Sequence, residues 1–378
     1  MKIAILCPEY PPHPGGVADH CAKLAAELSR QNCKIKIFTS ESNPTEQDSI
    51  SFQTVSRPWD TKKIDKIIEH LKIWDPDYVL IQYVPYLYSP HFYGIQPLLP
   101  FWIKKIKSQT GCPVALIAHE LHYPIGITPD RLLIGTSQFA QFLGLVLISD
   151  HVFFSYETPY QNYKKMIPWK KSSFSWLPVG ANIEPSKEKF KLDLKIENKK
   201  FMLQFGGNHP TRLFDYTFQA LEEANKKSHT ELYFIGISNQ EIQPLIEKSK
   251  FRHLHTHIHA LGYLSADETS YYIQKSNLIL APFLDGISTR RGSVMAAFAH
   301  GKPVITTRGY FTDQSLDWEQ FCMITDAKDP RLFSQTAAEV LFSPEKLKKL
   351  SEAALKKYQN SFSWPVIGIE IIQKLRGI

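Results

Sequence analysis

Short apolar runs alternate with segments whose apolar residues fall at helical spacing, and the alternation continues along the whole chain. In the first half the runs cover residues 3–7, 34–39, 78–82, 114–118 and 152–155; in the second they cover 201–205, 231–235, 278–282 and 304–306. Runs of this length bounded by turn residues read as buried strands. Strand followed by helix, repeated, reads as parallel sheets with crossover helices. The expected fold class is α/β, with two Rossmann-like, doubly wound parallel-sheet domains.

A chain of 378 residues exceeds one ordinary core and fits two domains facing across a cleft. Residues 184–200 are rich in charge and poor in periodic apolar positions, the composition of an exposed linker. The boundary is placed near residue 185, giving domains 1–185 and 186–362, and the last segment, 363–378, reads as a separate helix.

Composition narrows the class. A hydrophobic fraction of 43% with 21% charged residues excludes a disordered or fibrous chain. The net charge of +7 is spread along the sequence without an aromatic RNA-binding signature, so no nucleic-acid partner is expected. Lysine pairs such as Lys104-Lys105, Lys164-Lys165 and Lys170-Lys171 read as solvated helix faces, with peripheral contact to an anionic membrane as the alternative. Five scattered cysteines without a C-x-x-C pair indicate reduced thiols and a cytoplasmic setting, with no structural zinc. The first apolar run meets Pro8, too short for a signal peptide. The longest apolar stretch, 132–148, is broken by Gly135, Thr136, Ser137, Gln138 and Gln141; it is expected to lie on a bilayer, if it touches one, and not to span it.

Four places carry candidate chemistry. After the first run, Gly15 and Gly16 stand at a strand-to-helix turn, where free N–H groups favour an anion and a bare backbone admits close approach. A tight turn without ligand explains them equally well. His119 stands at the carboxyl end of the run 114–118, the edge at which open parallel sheets bind ligands. Gly206 and Arg212 flank a glycine-rich turn after the run 201–205, and an arginine there offers a planar fork of donors to a diphosphate. The sharpest segment contains Asp285, Arg290, Arg291, Gly292 and Ser293 and leads into a small-residue helix. Two arginines, a glycine and a serine cap at a helix start make an anion site, and adjacent buried arginines repel unless an anion joins them.

Two further patterns are set aside. His253, His255, His257 and His259 recur with period two, as on one face of a strand. Interleaved apolar residues explain that pattern as a half-buried strand, and no carboxylate or cysteine completes a metal set, so no metal is expected. Asp75-Pro76-Asp77 reads as a turn into the next strand.

In order, these motifs resemble glycosyltransferase family 4, the retaining group 1 type enzymes of the GT-B fold, along nearly the whole chain. The resemblance is carried by residues 8–17 (PEYPPHPGGV), 82–86 (QYVPY), His119-Glu120, 178–182 (PVGAN), 262–268 (GYLSADE), 300–304 (HGKPV) and Phe362-Ser363-Trp364. It implies that Gly15 and Gly16 approach the donor diphosphate, that His119 faces the reacting sugar, and that Arg212 contacts the diphosphate where the family usually has Lys. It implies a final helix that crosses back onto the N-terminal domain. The family's pair of glutamates is missing, because Ser288 and Ala296 stand at those positions; Asp285 is the candidate for the sugar-side role.

The implied activity is metal-independent transfer of a hexose from a nucleotide-diphosphate sugar to an acceptor hydroxyl, with retention of configuration and no cofactor, in polysaccharide or glycoconjugate synthesis. The acceptor, whether saccharide, lipid-linked or protein, is open. A sugar-nucleotide epimerase on the same fold and a non-catalytic nucleotide-sugar-binding protein are the alternatives.

Overall fold

Every pairing between strands is parallel in the computed structural model, which describes residues 1–13, 15–45, 49–89, 91, 93–186 and 200–378. The described chain divides into two units, Met1–Pro178 with Trp364–Ile378, and Val179–Ser363. Most of the linker expected over 184–200 lies outside the described residues.

The first unit runs β1 (Lys2–Leu6), α1 (Gly16–Arg30), β2 (Lys34–Thr39), β3 (Ile50–Thr54), α2 (Thr61–Trp74), β4 (Tyr78–Tyr83), α3 (Leu99–Thr110), β5 (Val114–Ala118), α4 (Pro129–Ile148), β6 (His151–Phe154), α5 (Glu157–Met166) and β7 (Phe174–Trp176). Its sheet has the order β3-β2-β1-β4-β5-β6-β7. The central strands are buried on both faces; Ile3, Ala4, Ile5 and Leu6 have no exposed surface. That is why they read as unbroken apolar runs. Local chemistry sets the helix ends. Asp60 caps α2 by accepting from the Lys63 N–H at 2.9 Å, satisfying one of the donors a helix start leaves open. Asp75 ends the same helix in a left-handed conformation, φ 52°.

Helix α4 is long and apolar enough to cross a membrane by length and composition. In this fold its polar interruptions tie it to the first unit. Gln138 accepts from the Tyr123 N–H at 2.6 Å. Gln141 accepts from the Gln96 N–H at 2.6 Å and donates to the Tyr83 hydroxyl at 3.2 Å. Buried amides need such partners, so these glutamines explain why α4 is held against loops instead of standing free.

The second unit runs β8 (Phe201–Phe205), α6 (Phe214–Asn225), β9 (Glu231–Ile235), α7 (Asn239–Lys248), β10 (Ile258–Ala260), α8 (Ala266–Lys275), β11 (Leu278–Ala281), α9 (Gly292–Ala299), β12 (Val304–Arg308), β13 (Met323–Asp326), α10 (Pro330–Leu341) and α11 (Pro344–Ser361). Its sheet order is β10-β9-β8-β11-β12-β13. Capping boxes start α7 (Ser238 with Glu241) and α8 (Ser265 with Glu268). Helix α9 is apolar on all sides, and Val294, Met295, Ala296, Ala297 and Phe298 are all buried. An all-round apolar helix belongs inside a core. Burial of side chains like Val294, Met295 and Phe298 stabilises by roughly 1.5–3 kcal/mol each. Trp318, Phe321 and Phe362 join them in one cluster.

The closing helix α12 (Trp364–Arg376) returns to the first unit and packs on α1. Gln31 donates from its side chain to the Pro365 carbonyl at 3.0 Å, and the Trp364 ring meets His20 edge-on at 5.2 Å.

Two local expectations are corrected. Residues Arg252–His257 form a 3-10 turn, and only Ile258–Ala260 are strand. The period-two histidine pattern is a feature of composition there, not of a strand face. Ser293 does not cap α9: the helix begins at Gly292, Arg291 takes the cap position without a side-chain cap bond, and Ser293 lies inside the first turn.

Candidate active site

In the second unit the strand order reverses between β8 and β11, and open α/β sheets bind ligands outside the carboxyl ends of the strands at such a switch point. The loops leaving these two strands meet there. Leu284 N–H donates to the Thr211 carbonyl at 2.7 Å and Leu213 N–H to the Pro282 carbonyl at 3.2 Å. This isolated antiparallel bridge places Arg212 opposite Phe283.

Phe283 is buried and carries two guanidiniums, with Arg291 Cζ 4.1 Å and Arg212 Cζ 5.3 Å from its ring centroid. Thr211 Oγ1 lies 3.5 Å from Arg291 Nη2. Burial, then the nearby Arg291 charge, lowers the Arg212 pKa to about 10. Arg212 therefore stays cationic at neutral pH, in a place where a second cation works against it.

The anion that joins the adjacent arginines is internal. Asp285, almost completely buried, accepts from Arg290 Nη2 at 2.7 Å and from Arg291 Nη2. The repulsion inferred from the sequence thus does not by itself require a ligand. Three arginines, Arg212, Arg290 and Arg291, gather around Phe283 and Asp285 beside the first turn of α9. Clustered guanidiniums beside a helix start favour an anion such as a diphosphate.

Gly206 makes room for this arrangement. Its φ is +112°, and a Cβ there would lie 2.1 Å from Arg212 Nη2 and 3.7 Å from the Ser293 Cβ. Gly206, Arg212 and Ser293 are therefore brought together, and Arg291 and Asp285 adjoin them through Phe283 and Thr211. On the other side of the loop Gly286, φ +86°, passes so close to Gly309 that a Cβ would fall 2.3 Å from the Gly309 N.

In the first unit, Gly15 and Gly16 stand at the start of α1 after β1, and a Cβ on Gly16 would meet nothing within 4 Å. His119 follows β5 and is buried. Its Nε2 donates to Gln82 Oε1 at 2.6 Å, and its ring meets His20 edge-on at 4.5 Å. Burial lowers the His119 pKa to about 4. His119 is thus a neutral, oriented imidazole whose Nδ1 carries the lone pair.

The comparisons with known proteins bear on these loops. Residues 200–343 match the sequence family described as "Glycosyl transferases group 1". This segment is a group 1 glycosyltransferase domain. No curated protein sequence matches the chain. Among solved structures, Anabaena HepE in complex with UDP-glucose is similar at 13% identity and TM-score 0.72, with all of both chains covered. Sucrose-phosphate synthase from Thermosynechococcus elongatus is similar at 15% identity and TM-score 0.72, covering 100% of this chain and 98% of that one. A putative UDP-N-acetylglucosamine 2-epimerase from Listeria monocytogenes is similar at 12% identity and TM-score 0.61, covering 100% and 96%. The fold is GT-B.

Gly206, Arg212, Asp285, Arg290, Arg291, Gly292 and Ser293 all lie within the group 1 domain. The two positions where glutamates were sought hold no hidden acid. Ala296 is completely buried in α9, and the Ser288 hydroxyl is buried without a hydrogen-bond partner among the described residues. Sequence reasoning missed Phe283 as the platform under the guanidiniums. It also missed His20 and the part played by Gln82, which the tertiary fold brings to His119 from separate elements.

Proposed function

We propose that the chain is a retaining glycosyltransferase that moves a hexose from a nucleotide-diphosphate sugar to an acceptor hydroxyl. The observation that carries this reading is the cluster of Arg212, Arg290 and Arg291 at the β8/β11 switch point, inside the group 1 domain. Arg212, Arg291 and the amide at Ser293 bind the diphosphate. As the glycosidic bond breaks, its growing negative charge meets preoriented donors, which stabilises the transition state. Those cations serve where other transferases use a divalent ion, so no metal is required for turnover. A donor phosphate oxygen takes the proton of the acceptor hydroxyl as it attacks the face the phosphate leaves. Neutral His119 orients a sugar hydroxyl and is not the base. Asp285, held by two arginines, keeps them aimed.

HepE was crystallised with UDP-glucose, so uridine donors are the first to test. Purified protein is incubated with a panel of nucleotide sugars, with and without chelator, beside Arg291→Ala. Release of nucleoside diphosphate from one donor, lost in the variant and indifferent to chelator, supports the reading; NMR of the product must show the donor's anomeric configuration. Ser288 and Ala296 at the glutamate positions favour one rival, a protein that binds donor without turning it over. Saturable donor binding with no release in the presence of acceptors would establish that rival. Release of free nucleotide with an altered sugar and no acceptor would establish the epimerase.

We also place the chain at an anionic bilayer surface on the cytoplasmic side. Phe101, Leu147 and Trp169 are exposed, and Lys170 Nζ donates to the Val146 and Leu147 carbonyls at the end of α4. Exposed aromatic and aliphatic side chains together with exposed lysines such as Lys104 and Lys171 suit a headgroup region. Co-sedimentation with phosphatidylserine vesicles, abolished by Trp169→Glu with Phe101→Glu, is the expected result; no sedimentation of the native protein would refute it.

A further inference from the structure

The histidine segment set aside in the sequence acquires a carboxylate in the fold. Glu231, the first residue of β9, is buried at 4% exposure. Its Oε1 lies 2.9 Å from His229 Nε2, while Oε2 lies 2.9 Å from His259 Nε2 and 3.8 Å from His257 Nδ1. The ligand atoms of His229, Glu231 and His257 all fall within 4.8 Å of one another. We propose that these three residues bind a divalent transition metal of the zinc class.

The donor set fits that class. Two imidazole nitrogens and one carboxylate oxygen are ordinary zinc ligands, and ligand atoms about 2.1 Å from a tetrahedral ion sit roughly 3.4 Å apart. The observed separations bracket that value, so ring rotations suffice to close the site. His257 Nδ1 is buried and has no hydrogen-bond partner among the described residues, although it faces the carboxylate. A buried polar atom in that condition is costly, and a metal bond removes the cost.

The surroundings hold the ligands in place. Asn225, at the end of α6, donates to the Thr230 carbonyl at 3.1 Å and accepts from the Thr230 N–H at 3.0 Å, which fixes the turn carrying His229. His229 and His257 meet edge-on at 5.1 Å. His259 stacks on Tyr233 at 4.6 Å and keeps its hydrogen bond to Glu231 Oε2, acting as the outer partner that orients a metal-bound carboxylate. His229 is largely exposed, so an ion enters from solvent, and the fourth position is left for water.

The site is separate from the diphosphate loops. Glu231 pairs with Phe201 at one end of β9, whereas Ile235, at the other end, pairs with Phe205 next to Gly206. Four residues of strand put about 13 Å between the two ends. The metal therefore braces the β9–β10 edge and takes no part in sugar transfer.

The test uses untagged full-length protein, stripped with chelator and exchanged into metal-free buffer. Zn²⁺ affinity is measured by competition with a chromophoric chelator, and the thermal midpoint is followed with and without Zn²⁺. One Zn²⁺ per chain is expected, with an affinity lowered about 100-fold or more in Glu231→Gln and in His229→Asn, and a Zn²⁺-dependent rise in midpoint seen only in the native protein. His229 is exposed, so its variant folds even if Glu231→Gln does not. His253→Ala, outside the trio, is expected to bind as the native protein does. Absence of saturable binding up to about 100 µM Zn²⁺, or undiminished affinity in His229→Asn, overturns the proposal.

Discussion

Gly206 and Arg212 share one volume: the place where a Gly206 side chain would begin is 2.1 Å from the Arg212 guanidinium. A methyl there must expel the arginine, and alanine at φ +112° adds backbone strain of about 1–3 kcal/mol. Gly206→Ala is therefore expected to weaken nucleoside diphosphate binding at least 10-fold, as measured by calorimetry. Unchanged affinity would show that Arg212 does not touch the phosphates.

Asp285 balances part of the charge of Arg290 and Arg291. Removing one member of a buried ion pair costs about 3–5 kcal/mol, because the remaining charges are left uncompensated. Asp285→Asn is expected to lower stability by that amount in urea melts, and inorganic pyrophosphate is expected to restore more of it than an equal ionic strength of chloride. Equal rescue by the two salts would argue against an anion site.

Burial holds His119, and likewise His151, near a pKa of about 4, against about 6.5 in an unfolded chain. Between those values the unfolded chain takes up protons that the folded chain refuses. Stability is therefore complete above pH 6.5 and falls as the pH drops towards 4, by on the order of 3 kcal/mol for His119. His119→Asn should flatten that slope in denaturant melts at graded pH. The rate of transfer, if it depends on neutral His119, should show no His119 limb between pH 5 and 8.

Gly368 of α12 faces α1, and a Cβ there would lie 2.6 Å from Gln31 Nε2 and 3.1 Å from Glu27 Cγ. Gln31 can swing aside for a methyl, but a branched side chain overfills the contact. Gly368→Val is expected to cost about 1–3 kcal/mol, read as a lower thermal midpoint, while Gly368→Ala costs less.

The central strands were legible because parallel strands covered on both faces keep nearly every position apolar, as in β1, β5 and β8. The strands missed were β3, β7 and β13. All three are sheet edges, β7 is only three residues long, and Met323 and Ile324 in β13 are half-buried. At the site, Arg290 and Arg291 stood out as charges before an apolar helix. The guanidinium fitted into the gap at Gly206 did not, since it depends on two loops meeting. Glu231 escaped notice for the same reason: it belongs to a neighbouring strand, and the pair His229 and Glu231 gives a weak signal until β9 and β10 are side by side.

The return of α12 to the first unit has a consequence for synthesis. A ribosome releases residues in order, so the nascent chain emits all of Val179–Ser363 before the segment that covers His20 and Glu27 on α1 emerges. Until Trp364 and the residues after it leave the exit tunnel, that face of the first unit stays bare, and domains otherwise able to fold one after another reach their final form in the reverse of the order in which they begin.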